Sequence, residues 1–381
     1  MKQLPAEITD MIIDFVGEST IPLLWHRSLQ FKTLDFARYH SQDHLDQFFD
    51  IISSTHATIT SHVLRIALDV SGSHLSPDQL ERFVSLQALH TIILVGECLD
   101  GDPVMADDIP VDTIVTVLES LSKVVILELL RIPFDYFEPL QNIVTACPNL
   151  EKLFMKGIED LSFSDMDSER HRPINTPPEP LPCASLQLLS SVDCPFNTPF
   201  FRWVRKSCSR WQSNQLQSIC MDFESLFVDR KKFHHLIHDL GATLKNLCIV
   251  NMKNYLTNRR FSPRPNLKYC THLEVLSFSH CDKETLEFTN GLAMINKVAS
   301  DRFRFLNISF VDEDGDLGDI LASHHAHLTA IDNHLQQTNF INFQCLTLGV
   351  PDNSINTIQD YFPLTAARGL HLKMYVWRWL Q

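Results

Sequence analysis

The chain has 381 residues, of which 44% are hydrophobic, and it carries a formal net charge of -14 at pH 7. That apolar fraction is sufficient for a continuous core, and the lack of a long Gly/Ser linker favours one extended body over separate domains. Only 11 glycines are present, and neither G-x-G-x-x-G nor the P-loop pattern occurs, which argues against a nucleotide-binding enzyme. The negative charge argues against a nucleic-acid partner. No apolar run approaches the roughly 18 residues of a membrane span, so we expect no membrane association.

The first residues predict a short amphipathic helix. Pro5 stands at its first turn and Glu7 lies just inside it, which favours a helix start. The apolar positions form one stripe, made of Ile8, Met11, Ile12, Phe15 and Val16. Acidic residues interrupt this stretch where a signal peptide needs a continuous apolar run. We therefore expect a cytoplasmic or nuclear protein with reduced thiols.

A spaced apolar signature recurs along the rest of the chain. CASLQLLSSVDC begins at Cys183 and CTHLEVLSFSHC at Cys270, both of the form C-x2-L-x2-L-x-Φ-x2-C, and a weaker copy, CPNLEKLFMKGI, begins at Cys147. Alternating apolar residues indicate a strand that buries one face, and recurrence about every 30 residues indicates a stacked array. The second apolar slot is occupied by Leu64, Ile92, Leu127, Leu153, Leu189, Ile219, Leu247, Leu276, Leu306, Leu346 and Leu370.

Segments with helical spacing lie between these predicted strands. Three examples are FEPLQNIVTAC from Phe137, KFHHLIHDLGATL from Lys232 and AHLTAIDNHLQQ from Ala326. A strand, a helix and a return within about 30 residues form a right-handed βα unit, so successive strands align in parallel. The pattern predicts an α/β leucine-rich-repeat solenoid, with parallel strands on the concave face and helices on the convex face. The alternative is a doubly wound α/β domain, which shows the same alternation without the fixed leucine spacing.

Two segments interrupt the predicted array. Residues 161–182 are rich in proline and acidic residues, a composition that predicts a loop inserted before the repeat at Cys183. A second acidic stretch runs from Glu97 to Asp112.

Basic residues are concentrated between positions 200 and 268, where 13 Lys or Arg face only four Asp or Glu. Trp203, Trp211, Tyr255 and Phe261 are interleaved with these bases. Arg side chains beside aromatic rings predict a surface for an acidic or phosphorylated segment of a protein substrate. The candidate contact residues are Arg202, Arg205, Arg230, Lys253, Arg259 and Arg260. The alternative is that these bases are merely solvated residues of outer helices.

Each candidate motif for metal binding in the sequence lacks a residue that the motif requires. His234 and His238 have the i, i+4 spacing of a helical metal site, but no Glu completes H-E-x-x-H. DEDGDLGD, from Asp312 to Asp319, has Leu317 where a calcium loop needs its turn Gly and Ser323 where it needs a Glu. We therefore expect no cofactor, no metal and no enzymatic activity.

The opening L-P-x-E-I-x-x-x-I-I-x-x-[FV] resembles the first helix of an F-box, and C-x2-L-x2-L-x-Φ-x2-C resembles the cysteine-containing leucine-rich repeats that commonly follow one. The resemblance implies a truncated F-box-like helical segment at residues 1–45 and a leucine-rich-repeat solenoid at residues 46–381. It also implies a substrate-recognition subunit of an SCF-type cullin-RING ubiquitin ligase, bound to a Skp-type adaptor. The implied adaptor contacts are Leu4, Pro5, Ile8, Ile12 and Phe15.

The sequence departs from the F-box pattern after the first helix. Gly17 is followed within a few residues by IPLLWHRSLQFKTLDF, so the middle of the module is shortened. Less apolar area is then available for adaptor docking. Each Å2 of apolar surface that is not buried forgoes about 25 cal/mol of binding free energy. The alternative function is a leucine-rich-repeat interaction scaffold that does not bind the ligase adaptor.

Overall fold

The computed structural model describes residues 32–37, 42–53, 59–70, 77–96, 109–160, 185–194, 197–208, 216–222, 230–250, 266–281, 294–295, 297–310, 325–337, 340–350 and 358–376. The chain divides into two compact units. Unit 1 comprises residues 1–173 and 182–184, and unit 2 comprises residues 174–181 and 185–381.

Unit 1 contains a parallel sheet whose strands follow one another in chain order. Its strands are β1 (Thr33–Asp35), β2 (Arg65–Asp69), β3 (Thr91–Val95), β4 (Ile126–Leu130) and β6 (Lys152–Lys156). The helices between them are α1 (Gln42–Ile52), α2 (Pro77–Arg82), α3 (Val111–Ser120) and α4 (Phe137–Thr145). Two short strands, β5 (Pro133–Phe134) and β7 (Glu159–Asp160), form a separate parallel pair.

Within the described residues, unit 2 repeats the same arrangement with seven parallel strands, again in chain order. They are β8 (Leu188–Val192), β9 (Ser218–Asp222), β10 (Asn246–Val250), β11 (Val275–Cys281), β12 (Phe305–Phe310), β13 (Cys345–Val350) and β14 (His371–Val376). The helices are α5 (Asn197–Cys208), α6 (Arg230–Leu240), α7 (His325–Leu335), α8 (Ile358–Tyr361) and α9 (Pro363–Ala367). A doubly wound sheet reverses its strand order at a switch point, and neither unit does. The structure thus confirms the predicted parallel strand-and-helix repeat.

The predicted leucine slots stand side by side on neighbouring strands within each unit. In unit 2, Leu247 pairs with Ile219 on one side and with Leu276 on the other, and the row continues through Leu306 to Leu346. All five side chains are at most 1% exposed. Alternation along a strand sends every second side chain to the same face, so these residues form one continuous core row.

Two of the predicted slots, those at the ends of the array, are displaced by two residues. Leu64 is 37% exposed, and Ile66 pairs with Ile92 in its place. At the other end Leu372, not Leu370, pairs with Leu346. A shift of two residues keeps a side chain on the same face, so alternation alone does not distinguish the two registers.

A recurring backbone contact joins each repeat to the next. The carbonyl of the residue just before one strand accepts two hydrogen bonds from the next repeat. The donors are the N–H of the residue just before the next strand and the N–H of the first residue of that strand. Gln217, for example, accepts from Lys245 at 2.8 Å and Asn246 at 2.9 Å, and Lys245 accepts from Glu274 at 2.7 Å and Val275 at 3.0 Å. The same arrangement occurs at Lys32, Leu64, His90, Val125, Gln187, Glu274 and Arg304. Polar groups at the strand entries are therefore satisfied by neighbouring repeats, as buried backbone requires.

A glycine permits a close approach after α6. A Cβ on Gly241 would lie 2.3 Å from the carbonyl oxygen of Tyr269. Tyr269 ends a short 3-10 turn, Leu267–Tyr269, of the next repeat. Only a residue without a side chain allows these two backbones to pack this tightly.

The three predicted helices correspond to α4, α6 and α7. Three cysteines that stand at repeat slots, Cys147, Cys194 and Cys270, are buried. The N-terminal helix and the loop at residues 161–182 lie outside the described residues, as does the segment from Asp312 to Asp319.

Candidate protein-interaction surfaces

One face of the unit 2 sheet carries a row of small polar side chains. The row consists of Ser190, Cys220, Cys248, Ser277, Asn307 and Thr347, which pair in register from β8 to β13. Each is half-buried, while the residues before and after it in the strand belong to the core face. We call this side of the sheet the open face of unit 2.

Side chains on the open face bind one another laterally. Asn307 Nδ2 donates to Ser277 Oγ at 3.0 Å, and Asn246 Nδ2 donates to Ser218 Oγ at 2.8 Å. These bonds link adjacent strands and fix the orientation of the amides. The face is therefore an ordered polar surface, and its side chains lose less conformational entropy when a partner binds.

An exposed aromatic ring stands beside this polar row. Phe305, the first residue of β12, is 36% exposed and pairs with Val275 of β11, which is half-buried. The preceding residue, Arg304, is exposed. Aromatic and arginine side chains are the types most enriched among energetically dominant interface residues.

The corresponding face of unit 1 is less accessible. Ala67 of β2 and Ile93 of β3 occupy it in register, and each is only 7% exposed. Farther along, Arg65 Nη2 lies 3.5 Å from Glu128 Oε1 in a largely exposed ion pair. Exposed pairs of this kind contribute roughly 0–1 kcal/mol. We therefore place the stronger candidate surface on unit 2.

The basic section is only partly represented among the described residues. Arg202 of α5 is exposed, whereas Arg205, one turn later, donates to Asp239 of α6 at 2.6 Å. Burial opposes ionisation of Asp239, but hydrogen bonds from Arg205 and His238 outweigh it and hold the pKa of that carboxyl below its ordinary value. Part of the positive charge of Arg205 is thus already neutralised within unit 2.

The other four candidate contacts lie partly or wholly outside the described residues. Arg230 is the first residue of α6, but its side chain is outside the described part, as are Lys253, Arg259 and Arg260 altogether. The adaptor candidates Leu4, Pro5, Ile8, Ile12 and Phe15 also lie outside it. Their proposed contacts therefore stay predictions.

Two histidines of α6 lie against a tyrosine of the next repeat. The ring of Tyr269 lies 4.6 Å from the ring of His238 and 6.2 Å from that of His234, both edge-on, and Lys268 Nζ lies 4.9 Å from the tyrosine ring centre. Burial, together with the positive charges of His235 and other neighbours, lowers the pKa of His234. Among the residues that the structure describes, no group of three or more His, Cys, Asp or Glu is placed to hold a metal.

Unit 1 has an acidic cavity of about 530 Å3 between the N-termini of α3 and α4. Its carboxylates are Asp112, Asp135 and Glu138. Asp112 and Glu138 lie in the first turns of their helices, where a negative charge complements the helix dipole. This stabilising role accounts for two of the three acids without a bound ligand.

A half-buried histidine of α7 predicts acid sensitivity. His334 Nε2 is buried without a hydrogen-bond partner, and burial lowers the pKa of this side chain despite an opposing backbone bond at Ile295. Below a pH of about 6.5 this histidine is protonated in the unfolded chain but not yet in the folded chain. The free energy of unfolding therefore has its full value above that pH and decreases as the pH falls. We expect the free energy of unfolding to decline less steeply on acidification in His334→Gln than in wild type, as measured by urea titrations from neutral to acid pH.

The matched control for this prediction is His325→Gln, at an exposed position on α7 itself. Its acid slope should follow that of the wild-type chain. An unchanged slope in His334→Gln would contradict the assignment of the His334 ring as a source of acid sensitivity.

The comparisons with known proteins add little to this geometry. No protein-family profile matches the chain, and no curated protein matches it. Among solved structures the chain is similar to the leucine-rich repeat-containing protein LegL7 from Legionella pneumophila, with 12% sequence identity and a TM-score of 0.44. The match covers 88% of this chain and 94% of that chain. At this score the likeness carries no argument about fold or partner, and the repeat assignment rests on the register of the strands.

No described helix has the length and apolarity that crossing a bilayer requires.

Proposed function

We propose that the chain is a non-catalytic scaffold that binds a protein partner through the open face of unit 2. The observation that supports it is the in-register polar row with Phe305 exposed beside it. A repeat array presents one side chain per strand at a fixed spacing, which suits the recognition of an extended protein surface. Within this proposal the polar row supplies hydrogen bonds and Phe305 supplies the apolar anchor.

The scaffold proposal is tested by removing the anchor. Phe305→Ser should leave the fold intact, because this ring is 36% exposed, and should weaken partner binding at least tenfold, corresponding to more than about 1.4 kcal/mol. Copurification from cells followed by mass spectrometry identifies the partner, and calorimetry with the purified partner gives the affinity. The matched control is Ile341→Ser, which removes a 74% exposed apolar side chain away from the strands.

Equal loss of the partner in both variants would show non-specific hydrophobic capture. Unchanged affinity in Phe305→Ser would remove the open face as the binding surface. In either case circular dichroism of the variants establishes whether the repeats remain folded.

A narrower proposal is that this scaffold is the substrate-recognition subunit of an SCF-type cullin-RING ubiquitin ligase. It is supported by the opening L-P-x-E-I pattern, through which Leu4, Pro5, Ile8, Ile12 and Phe15 would bind a Skp-type adaptor. Ubiquitin transfer would then be performed by other subunits, and the repeats would only bring the substrate close. The basic section around Arg202 is the supporting feature for an acidic or phosphorylated substrate.

The ligase proposal and the simple scaffold give different results when the N-terminal stripe is charged. The double change Ile8→Glu and Ile12→Glu should abolish recovery of adaptor and cullin while the partner of the repeats is still recovered. If the chain is a scaffold without a ligase, the wild-type chain should recover no adaptor under conditions in which a known F-box protein, used as positive control, does recover it. Loss of thermal stability without any change of partner would indicate that the N-terminal helix only caps the repeats.

A further inference from the structure

Two cysteines occupy adjacent positions on the open face of unit 2. Cys220 of β9 and Cys248 of β10 are directly paired in the parallel sheet, and both are half-buried cysteines outside any disulfide. The neighbouring residues Ile219 and Leu247 point to the core, so alternation places both thiols on the same, opposite face. Paired residues on adjacent strands are about 4.8 Å apart at their Cα atoms, within the 4.4–6.8 Å range that disulfides span.

We propose that Cys220 and Cys248 are a peroxide-sensitive dithiol that closes to a reversible disulfide between β9 and β10. The proposal concerns a modification site on the open face and does not depend on which partner that face binds. The co-reactant is a hydroperoxide, with hydrogen peroxide as the simplest member of the class.

The reaction proceeds in two balanced steps. The Cys220 thiolate attacks one peroxide oxygen, so that an S–O bond forms, the O–O bond breaks, and the departing oxygen takes up a proton to leave as water. The Cys248 thiolate then attacks the sulfenic sulfur of Cys220, so that an S–S bond forms, the S–O bond breaks and a second water leaves. Two thiols are oxidised by two electrons in total, and one peroxide is reduced. A dithiol reductant reverses the disulfide by exchange.

The surroundings favour Cys220 as the attacking thiol. A hydrogen bond from Cys248 lowers the pKa of Cys220, aided by a bond from Ser190 and opposed by burial and the negative charge of Asp222. Cys270 differs, because burial raises the pKa of its thiol to about 12. The thiolate is the nucleophile in both steps, so Cys220 should react well before Cys270.

Serine is a suitable replacement at both positions. Ser190 and Ser277 occupy the same row on the strands that flank the pair, so the open face already accommodates a hydroxyl there. Cys220→Ser and Cys248→Ser should therefore fold like wild type and remove one thiol each. Their effect on oxidation can then be separated from an effect on stability.

The test is limited oxidation of the full chain with hydrogen peroxide, followed by alkylation, digestion without reductant and mass spectrometry. We expect one linked peptide pair, joined through Cys220 and Cys248, lost on treatment with dithiothreitol, while Cys270 stays reduced and is alkylated after unfolding. In Cys248→Ser the disulfide is absent, and Cys220 should accumulate as a sulfenic acid trapped by dimedone. In Cys220→Ser the disulfide is likewise absent.

Three results would overturn the proposal. One is oxidation of Cys220 directly to sulfinic acid in wild type with no linked peptide. Another is a linked peptide that joins different cysteines, or two chains, in preference to this pair. The third is a dimedone yield at Cys220 in Cys248→Ser no greater than that at Cys270.

Discussion

Leu276→Ala is expected to lower the free energy of unfolding of unit 2 by about 3 kcal/mol. The side chain is fully buried and lies in register between Leu247 and Leu306, so its removal leaves a cavity in the middle of the core row. Urea denaturation followed by tryptophan fluorescence measures the change, and the fully buried Trp203 of α5 belongs to the same unit. Neighbouring repeats stabilise one another, so the loss is felt beyond β11.

The adjacent residue provides the control. Ser277 points to the open face and is half-buried, and its Oγ only accepts a bond from Asn307. Ser277→Ala should therefore cost less than about 1 kcal/mol. A larger loss in Ser277→Ala than in Leu276→Ala would place the core on the other face and refute the strand register.

The sequence predicted the middle of the repeat array better than its ends. In β9 to β13 the apolar alternation coincides with a fixed leucine spacing, and every predicted slot from Ile219 to Leu346 lies in the core row. At Leu64 and Leu370 apolar residues occur at two alternating positions, and both registers satisfy the same pattern. Pairing with the next strand selects Ile66 and Leu372, and that information is not local.

The candidate surfaces were predictable in part. Cys220 and Cys248 each follow a predicted slot by one residue, so the repeat register itself places them side by side. The ion pair between Arg205 and Asp239 cannot be predicted from the sequence, because it depends on the packing of α5 against α6. The sequence predicts Arg205 as a contact for an acidic substrate, whereas in the structure this guanidinium is bonded to a carboxylate of the same unit.

Asp332 illustrates the same limit within a single side chain. Its helix, α7, was predicted from the apolar stripe of Leu328, Ile331 and Leu335, and an acid between such residues ordinarily faces solvent. The structure instead buries Asp332 to 1% exposure. The reason is a helix start about 30 residues later in the chain, which no local pattern reveals.

Asp332→Ala is expected to destabilise unit 2 by about 3 kcal/mol or more. Oδ2 accepts from the N–H of Leu364 at 2.8 Å, and Oδ1 accepts from the N–H of Thr365 at 2.8 Å and from its hydroxyl. These are the first two N–H donors of α9, because Pro363 has none and the N-cap residue Phe362 offers no side-chain bond. The carboxylate of α7 therefore caps α9. Alanine removes the acceptor of three donors, two of which belong to the buried residue Thr365.

Amide hydrogen exchange separates this cause from general destabilisation. In Asp332→Ala the amides of Leu364 and Thr365 should lose protection before those of the core strands, since their bonds are the ones removed. Asp332→Asn keeps one carbonyl acceptor and should cost less than alanine. The control Asp360→Ala removes an exposed acid of α8 and should change stability by no more than about 0.5 kcal/mol. Equal protection of both amides in wild type and Asp332→Ala would show that α9 is held by other contacts.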